Sequence, residues 1–224
     1  MCIRILALIF IITTGLGFVT MQKKQRIIFF GDSITQAGVN EGGYITRLEE
    51  KFKKEGINNY ELTGAGIGGN KIYDLYLRHE KDVLEKNPDI VVIWVGVNDV
   101  WHKRTHMTGT DYDKFELFYR ALIQKFLNKN IQVVVCTPAA IGEKTDHTNE
   151  LDGDLNRYAE LIRTIAKSMN VSLIDIRKEF LNYNLKNNPS NLSKGILTTD
   201  GVHLNDKGNQ LVSELFYNHF IANK

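Results

Sequence analysis

The chain has 224 residues, of which 43% are hydrophobic and 24% charged, so it can bury a sizeable core and is not intrinsically disordered. Its 28 basic and 26 acidic residues give a net charge of +2, which argues against a nucleic-acid-binding surface. The two cysteines are too few for a disulfide framework, and no Cys/His cluster has the spacing of a zinc site.

The N-terminal 20 residues differ in composition from the rest of the chain. An uncharged apolar run from Ile5 to Val19 follows Arg4, which is typical of a secretory signal and short for a membrane-spanning helix. We therefore expect residues 1–20 to be an export signal that makes the protein secreted or periplasmic. Residues 15–20 lack an Ala-x-Ala-like cleavage site. An uncleaved membrane anchor, or a cytoplasmic protein that starts at Met21, is therefore an alternative.

From residue 26 onward, strand-like and helix-like segments alternate. Continuous apolar or β-branched runs predict five strands, at 26–30, 60–63, 89–95, 131–136 and 171–176. Apolar residues at helical spacing predict the helices, over 44–54, 72–84, 112–126, 155–169 and 205–219. Three further segments are expected to be loops that decide the substrate, at 100–110, 141–152 and 182–197.

Strands separated by helices predict a parallel sheet with helices on both faces, an α/β architecture. No linker or internal repeat divides residues 26–221, so we expect a single domain. Ligands of an open parallel sheet bind beyond the carboxyl ends of its strands. Polar or glycine-rich segments follow three of the predicted strands and precede the last helix, at 31–35, 64–70, 96–99 and 200–203. We expect these four segments to converge on one site.

These segments resemble the sequence blocks of the GDSL, or SGNH, hydrolases, a family of serine esterases. The matching blocks are Gly31-Asp32-Ser33-Ile34, the glycine-rich segment around Gly66, Gly96-Val97-Asn98-Asp99 and Asp200-Gly201-Val202-His203. Two positions depart from the family pattern: Ile34 stands where Leu is usual, and Gly64 where Asn is frequent. The resemblance covers residues 26–221 and implies a flavodoxin-like three-layer α/β/α sandwich with a five-stranded parallel sheet.

The residue types in these blocks suit nucleophilic catalysis. A serine hydroxyl such as that of Ser33 needs a neighbouring base, for which the imidazole of His203 is suited. Asp200 lies three residues before His203 and can orient that ring. We therefore predict a Ser33, Asp200 and His203 triad. The resemblance implies an oxyanion hole formed by the backbone N–H groups of Ser33 and Gly66 and the amide of Asn98, with glycine at 66 letting the backbone approach the substrate.

Each of these residues also has a simpler interpretation when it is taken alone. Ser33 could cap a helix, and the other polar residues could be ordinary turn residues; only their joint occurrence favours catalysis. We expect Asp32 and Asp99 to make structural hydrogen bonds. His102 and His106 lie four residues apart without a third ligand, so we predict no metal and no cofactor.

The predicted activity is hydrolysis of carboxylic esters through an acyl-enzyme, with small-molecule or glycan esters as partners. Short-acyl or carbohydrate O-acetyl esters are favoured, because the chain has no room for a large lid domain; lysophospholipids or thioesters are the alternative. Trp101 could line an acyl or sugar pocket or serve in packing. We expect no nucleic-acid partner and membrane association only through residues 1–20.

Other classes of protein explain less of the sequence. The Gly64-x-Gly66-x-x-Gly69 segment formally matches a dinucleotide fingerprint, but it follows the second predicted strand rather than the first. The α/β-hydrolases carry a Gly-x-Ser-x-Gly elbow, which this chain lacks. A catalytically inactive sandwich that binds glycans is the non-enzymatic alternative.

Overall fold

The computed structural model describes residues 23–222. The predicted signal or anchor at residues 1–20 therefore lies outside the described residues, whereas the predicted domain at 26–221 lies within them. Between residues 23 and 222, no helix is both long and apolar enough to cross a membrane.

A five-stranded parallel sheet forms the centre of the molecule, as the sequence predicts. The strands are β1 (Gln25–Gly31), β2 (Tyr60–Gly66), β3 (Ile90–Trp94), β4 (Gln132–Cys136) and β5 (Ser172–Ile174). Their order is β2-β1-β3-β4-β5, and every neighbouring pair is parallel, which is the flavodoxin-like arrangement. Strand β2 runs two residues past the predicted stop at Gly64, while β5 is shorter than predicted.

Eight α-helices lie in the described part of the chain. They are α1 (Ser33–Ala37), α2 (Tyr44–Lys54), α3 (Ile72–Asp82), α4 (Val97–Thr105), α5 (Tyr112–Leu127), α6 (Asp152–Met169), α7 (Ile176–Asn187) and α8 (Asp206–Ala222). The five helices that apolar periodicity predicts are all present.

Two predicted loops are partly helical, which corrects the expectation. Helix α4 occupies the first half of the predicted loop at 100–110, and α7 contains the start of the predicted loop at 182–197. The buried face of α4 includes Asn98 and Asp99, and that of α7 includes Arg177 and Asn184. Because polar residues occupy the buried faces, these helices lack the apolar periodicity on which the predictions depend.

The two faces of the sheet each pack against helices to form a separate apolar core. Along β1, Ile28 and Phe30 belong to the cluster that includes residues of α3, α5 and α6. Ile27 and Phe29 belong to the other cluster, which includes residues of α2, α7 and α8. Burying one such side chain contributes roughly 1.5–3 kcal/mol. This packing on both faces fixes the strands and leaves their carboxyl ends to form a site.

Candidate active site

Ser33 stands at the tight turn between β1 and α1, on the carboxyl edge of the sheet. Gly31 makes the turn possible, because a Cβ at that position would collide with the side chain of Thr35. The carboxylate of Asp32 caps α1 by accepting the backbone N–H of Ile34 at 3.0 Å. Because Asp32 makes the cap, the hydroxyl of Ser33 is not needed for it.

The three predicted triad residues form a continuous hydrogen-bonded chain. Ser33 Oγ lies 2.9 Å from His203 Nε2, and His203 Nδ1 lies 2.7 Å from Asp200 Oδ2. When Nδ1–H donates to the carboxylate, the lone pair of Nε2 faces the serine hydroxyl and can accept its proton. The arrangement is that of a nucleophile, a general base and a residue that orients the base.

Backbone N–H groups of the loop that carries Asp200 and His203 hold the Asp200 carboxylate in place. Asp200 Oδ1 accepts the backbone N–H groups of Val202 at 2.9 Å and His203 at 2.8 Å. Partial burial raises the pKa of Asp200, but these bonds and the one from the His203 ring outweigh it and keep the pKa below its usual value. Gly201 has φ +101°, a conformation that permits the reversal and that glycine adopts without strain. Asp200 is therefore an ionised acceptor for the imidazole near neutral pH.

Gly66 ends strand β2 beside the turn that holds Ser33. A Cβ at Gly66 would meet the backbone of that turn, 2.6 Å from the carbonyl oxygen of Asp32. Glycine is thus required for β2 to approach the nucleophile turn, a packing reason that differs from the expected one of access for the substrate. Ile67 N–H donates to the Gly31 carbonyl at 3.2 Å. Because N–H groups alternate along a strand, that of Gly66 points away from β1 and therefore away from Ser33, so the structure does not bring it to the predicted oxyanion hole.

Asn98 lies in the first turn of α4 and its side chain is buried. Gly96, with φ +134°, lets the chain turn from β3 into this helix. One N–H of the Asn98 amide donates to the backbone carbonyl of Asn70 at 3.1 Å. Since an amide nitrogen carries two hydrogens, the second remains available as a donor. The structure therefore gives Asn98 the fixed orientation that an oxyanion donor requires.

The two neighbouring aspartates make structural hydrogen bonds, as the sequence predicts. Asp99 Oδ1 accepts the hydroxyl of Thr110 at 2.5 Å and the backbone N–H of Ile72 at 3.1 Å. Burial raises the pKa of Asp99 to about 6 against these bonds. Burial also raises the pKa of Asp32 to about 7, despite the bond from Ile34. The carboxyl groups of Asp32 and Asp99 therefore stabilise the backbone around the site.

Helix α4 also brings Trp101 next to His203, with the ring of His102 beside that of Trp101. The rings of Trp101 and His203 meet edge to face, with centroids 6.2 Å apart, and Trp101 packs against both apolar clusters. Trp101 therefore packs against the core and flanks His203 at the same time. His102 and His106 are ring neighbours with centroids 4.2 Å apart. Across residues 23–222, no group of three or more His, Cys, Asp or Glu side chains could hold a metal ion.

The glycines of the formal dinucleotide fingerprint do not form a phosphate-binding turn. Gly64 and Gly66 lie within β2, whereas that fingerprint requires them in the turn between a strand and a helix. A Cβ at Gly64 would collide with the side chain of Val39, so this glycine also serves close packing.

Glu143 is a buried residue of the site region that the sequence does not reveal. Its side chain is 1% exposed and accepts three consecutive backbone N–H groups, of Ile196 at 2.8 Å, Leu197 at 2.6 Å and Thr198 at 2.9 Å. These residues lead directly into the catalytic loop at Asp200. The predicted loop at 141–152 thus holds the segment that precedes Asp200, and nothing in the sequence distinguishes Glu143 from the other acidic residues.

Changing Glu143 to glutamine should weaken this support. The variant places an NH₂ group opposite a backbone N–H, and an unsatisfied buried donor costs about 1–3 kcal/mol. We expect a lower free energy of unfolding in urea and a lower kcat, because the catalytic loop is held less firmly. Glu80→Gln, on an exposed position of α3, is the matched control. A Glu143→Gln protein with unchanged stability would contradict this role.

Comparison with known proteins gives consistent matches. A model of the GDSL-like Lipase/Acylhydrolase family matches residues 29–211. An acetylxylan esterase of Geobacillus stearothermophilus is 27% identical over 214 residues, covering 86% of this chain and 92% of that protein. The isoamyl acetate-hydrolyzing esterase 1 homolog of Rattus norvegicus is 25% identical over 84% of this chain and 78% of its own length. A solved structure of the acetyl xylan esterase AlAXEase has a TM-score of 0.86 and 65% identity, covering 87% of this chain and 98% of that one.

Proposed function

The chain belongs to the GDSL-like lipase/acylhydrolase family and is a hydrolase acting on ester bonds, and from this premise we propose that it removes O-acetyl groups from acetylated xylan or its oligosaccharides. The observation that carries the proposal is the 65% identity with a solved acetyl xylan esterase over nearly the whole of that chain. The hydrogen-bonded chain from Ser33 to Asp200 supports an active enzyme over an inactive glycan-binding sandwich.

The first half of the reaction acylates Ser33. His203 Nε2 takes the hydroxyl proton while Ser33 Oγ attacks the acetyl carbonyl carbon, and the carbonyl electron pair moves onto its oxygen. The backbone N–H of Ser33 and the amide of Asn98 donate to that oxyanion. As the tetrahedral intermediate collapses, the bond to the sugar oxygen breaks, and His203 returns its proton to the leaving hydroxyl.

The second half releases acetate. A water molecule replaces the sugar hydroxyl, loses a proton to His203 and attacks the acetyl-enzyme carbonyl. The second tetrahedral intermediate collapses to acetic acid while His203 protonates Ser33 Oγ, and the acid loses its proton to solvent and leaves as acetate. Asp200 stabilises the imidazolium in both halves through its bond to Nδ1.

The exposure of the site supports a bulky alcohol component in the substrate. The side chains of His203 and Asp200 are 39% and 45% exposed. A polymeric sugar can therefore approach His203 from solvent while the carbonyl oxygen of its small acetyl group enters the oxyanion hole. Trp101 beside His203 offers an apolar wall for a sugar ring or the acetyl methyl group.

A panel of esters tests the substrate proposal. It comprises chromogenic esters from acetyl to palmitoyl, together with acetylated xylo-oligosaccharides whose deacetylation is followed by mass spectrometry. We expect the highest kcat/KM with acetyl and measurable release of acetate from the oligosaccharides. A preference for palmitoyl would indicate the lysophospholipase or thioesterase alternative. Oligosaccharide binding without turnover would indicate the inactive sandwich.

Removing the amide of Asn98 should slow turnover without weakening substrate binding. Because the charge on the oxyanion develops in the transition state, Asn98→Ala should lower kcat by roughly 10²–10³-fold and change KM only a few-fold. Kinetics and the melting temperature are measured on one preparation, with Asn218→Ala, at an exposed position of α8, as the control. A lower melting temperature with normal kcat would make Asn98 a turn former only.

We further propose that residues 1–20 direct export and are the only part of the chain that associates with a membrane. Their apolar run after a basic start supports this. N-terminal sequencing of the protein from its native host should find a mature start near residues 18–22, outside the cytoplasm. A cytoplasmic protein that starts at Met21, or an intact Met1 in the membrane fraction, would overturn cleavage and release.

A further inference from the structure

Arg78, on α3, is a largely buried side chain that no step of the reaction uses. Its side chain is 15% exposed, and Nη1 pairs with Asp82 one turn later at 2.7 Å. The guanidinium lies over the ring of Phe30, with Cζ 4.4 Å from the ring centroid. These two contacts fix the guanidinium, whose Nε and Nη2 groups bond to the carboxyl edge of the sheet.

The Nη2 group of Arg78 bonds to two backbone carbonyls that belong to the site. It donates to Gly31 at 2.7 Å and to Ala65 at 3.0 Å. The Gly31 carbonyl immediately precedes the turn that carries Ser33. The Ala65 carbonyl lies one residue before the end of β2. These two bonds tie the end of β2 to the turn that carries Ser33.

The Nε group of Arg78 is linked to the amide of Asn98 through one intermediate residue. It donates to Asn70 Oδ1 at 2.7 Å, and the backbone carbonyl of Asn70 accepts the Asn98 amide at 3.1 Å. Arg78 therefore holds the residue that orients Asn98.

We propose that Arg78 is a positioning residue that preorganises the oxyanion hole. The proposal rests on the esterase function, since it assigns the hole that function requires. A single guanidinium ties together the Ser33 turn, the end of β2 and the residue that supports Asn98. Lysine cannot replace it, because its ammonium is a compact point charge without the planar fork of donors. Since the hole acts on the transition state, loss of Arg78 lowers kcat and leaves KM nearly unchanged.

Arg78→Met tests the proposal, because it keeps an apolar stem and removes every donor. We expect kcat for an acetyl ester to fall about 10- to 100-fold, less than the loss of a whole donor, with KM within a few-fold. Affinity for a trifluoromethyl ketone, which forms a tetrahedral adduct with Ser33, should fall by a similar factor. Arg78→Lys should not restore kcat.

Arg120→Met is the matched control for a lost helical arginine. Arg120 on α5 also pairs with an acidic residue one turn away, Glu116, and bonds to a neighbouring helix through Ser168. We expect it to change stability without changing kcat or the affinity for the ketone. If Arg78→Met does not fold, Asn70→Ala removes only the Nε contact, and it should still lower kcat with KM nearly unchanged.

A double variant tests the route through Asn70. If Arg78 acts partly through Asn98, then Arg78→Met should cost less in an Asn98→Ala background than in the wild type. If the loss in kcat of the double variant equals the product of the two single losses, the route through Asn70 is wrong. Folded Arg78→Met and Asn70→Ala proteins with wild-type kcat and ketone affinity would overturn the positioning role alone. A wild type without Ser33-dependent hydrolysis would refute the esterase function, and the positioning role with it.

Discussion

Replacing Ser33 with alanine is expected to lower kcat for acetyl esters by about 10⁴- to 10⁶-fold, the loss typical of a catalytic serine. Ser33 Oγ is the group of the enzyme that attacks the acetyl carbonyl in the proposed reaction, and without its hydroxyl no acyl-enzyme forms. The fold should be unaffected, because Asp32 rather than Ser33 caps α1. Activity should therefore be lost at an unchanged melting temperature.

Two measurements on the Ser33→Ala protein check this result. The first is kcat with a chromogenic acetate, and the second is covalent labelling by a fluorophosphonate, which the variant should resist. Ser190→Ala, at an exposed position after α7, should keep both turnover and labelling. Strong labelling of the Ser33→Ala protein would mean that the nucleophile lies elsewhere.

The second large effect is expected from Asp200→Asn, with a loss in kcat of about 10⁴-fold. Asp200 Oδ1 accepts two backbone N–H groups, from Val202 and His203, so the oxygen of an asparagine would take that position. Its NH₂ group would then face His203 Nδ1 and donate to it. The imidazole would carry its hydrogen on Nε2, pointing at Ser33, and could not accept the serine proton.

The same geometry predicts that the variant stays folded. The side chain of Asp200 is 45% exposed, and its bonds from the two backbone N–H donors are kept when the amide oxygen faces them. The melting temperature and kcat are measured together, with Asp154→Asn, at an exposed position of α6, as the control. A kcat close to that of the wild type would show that Asp200 does not set the orientation of His203.

The apolar pattern of the sequence determines the sheet and five of the helices. The strand at 89–95 is recognisable because both of its faces are buried, and residues such as Val91 and Val92 are therefore apolar without interruption. Helices such as α5 show a regular apolar stripe because one face packs on the sheet. Both signals are local, so they can be read from neighbouring positions along the chain.

The four sequence blocks also predict which residues the fold brings to one edge. Ser33 and His203 are 170 residues apart, yet each lies beside a turn at the end of an element, where parallel topology makes such turns converge. The apolar pattern does not predict helices α4 and α7, because their buried faces carry Asn98, Asp99 and Arg177. The burial of these polar residues depends on partners from other segments.

Only the tertiary structure decides how the site is supported. Gly66 must be glycine because two segments about 30 residues apart meet backbone to backbone, which no local pattern can show. In the sequence, Glu143 and Arg78 resemble ordinary charged surface residues. In the fold, Glu143 accepts backbone N–H groups and Arg78 donates to backbone carbonyls. The amino-acid sequence thus determines the elements and the reacting groups. Hydrogen bonds between distant segments determine how firmly those groups are held, because a buried polar side chain is stable only where the fold brings its partners to it.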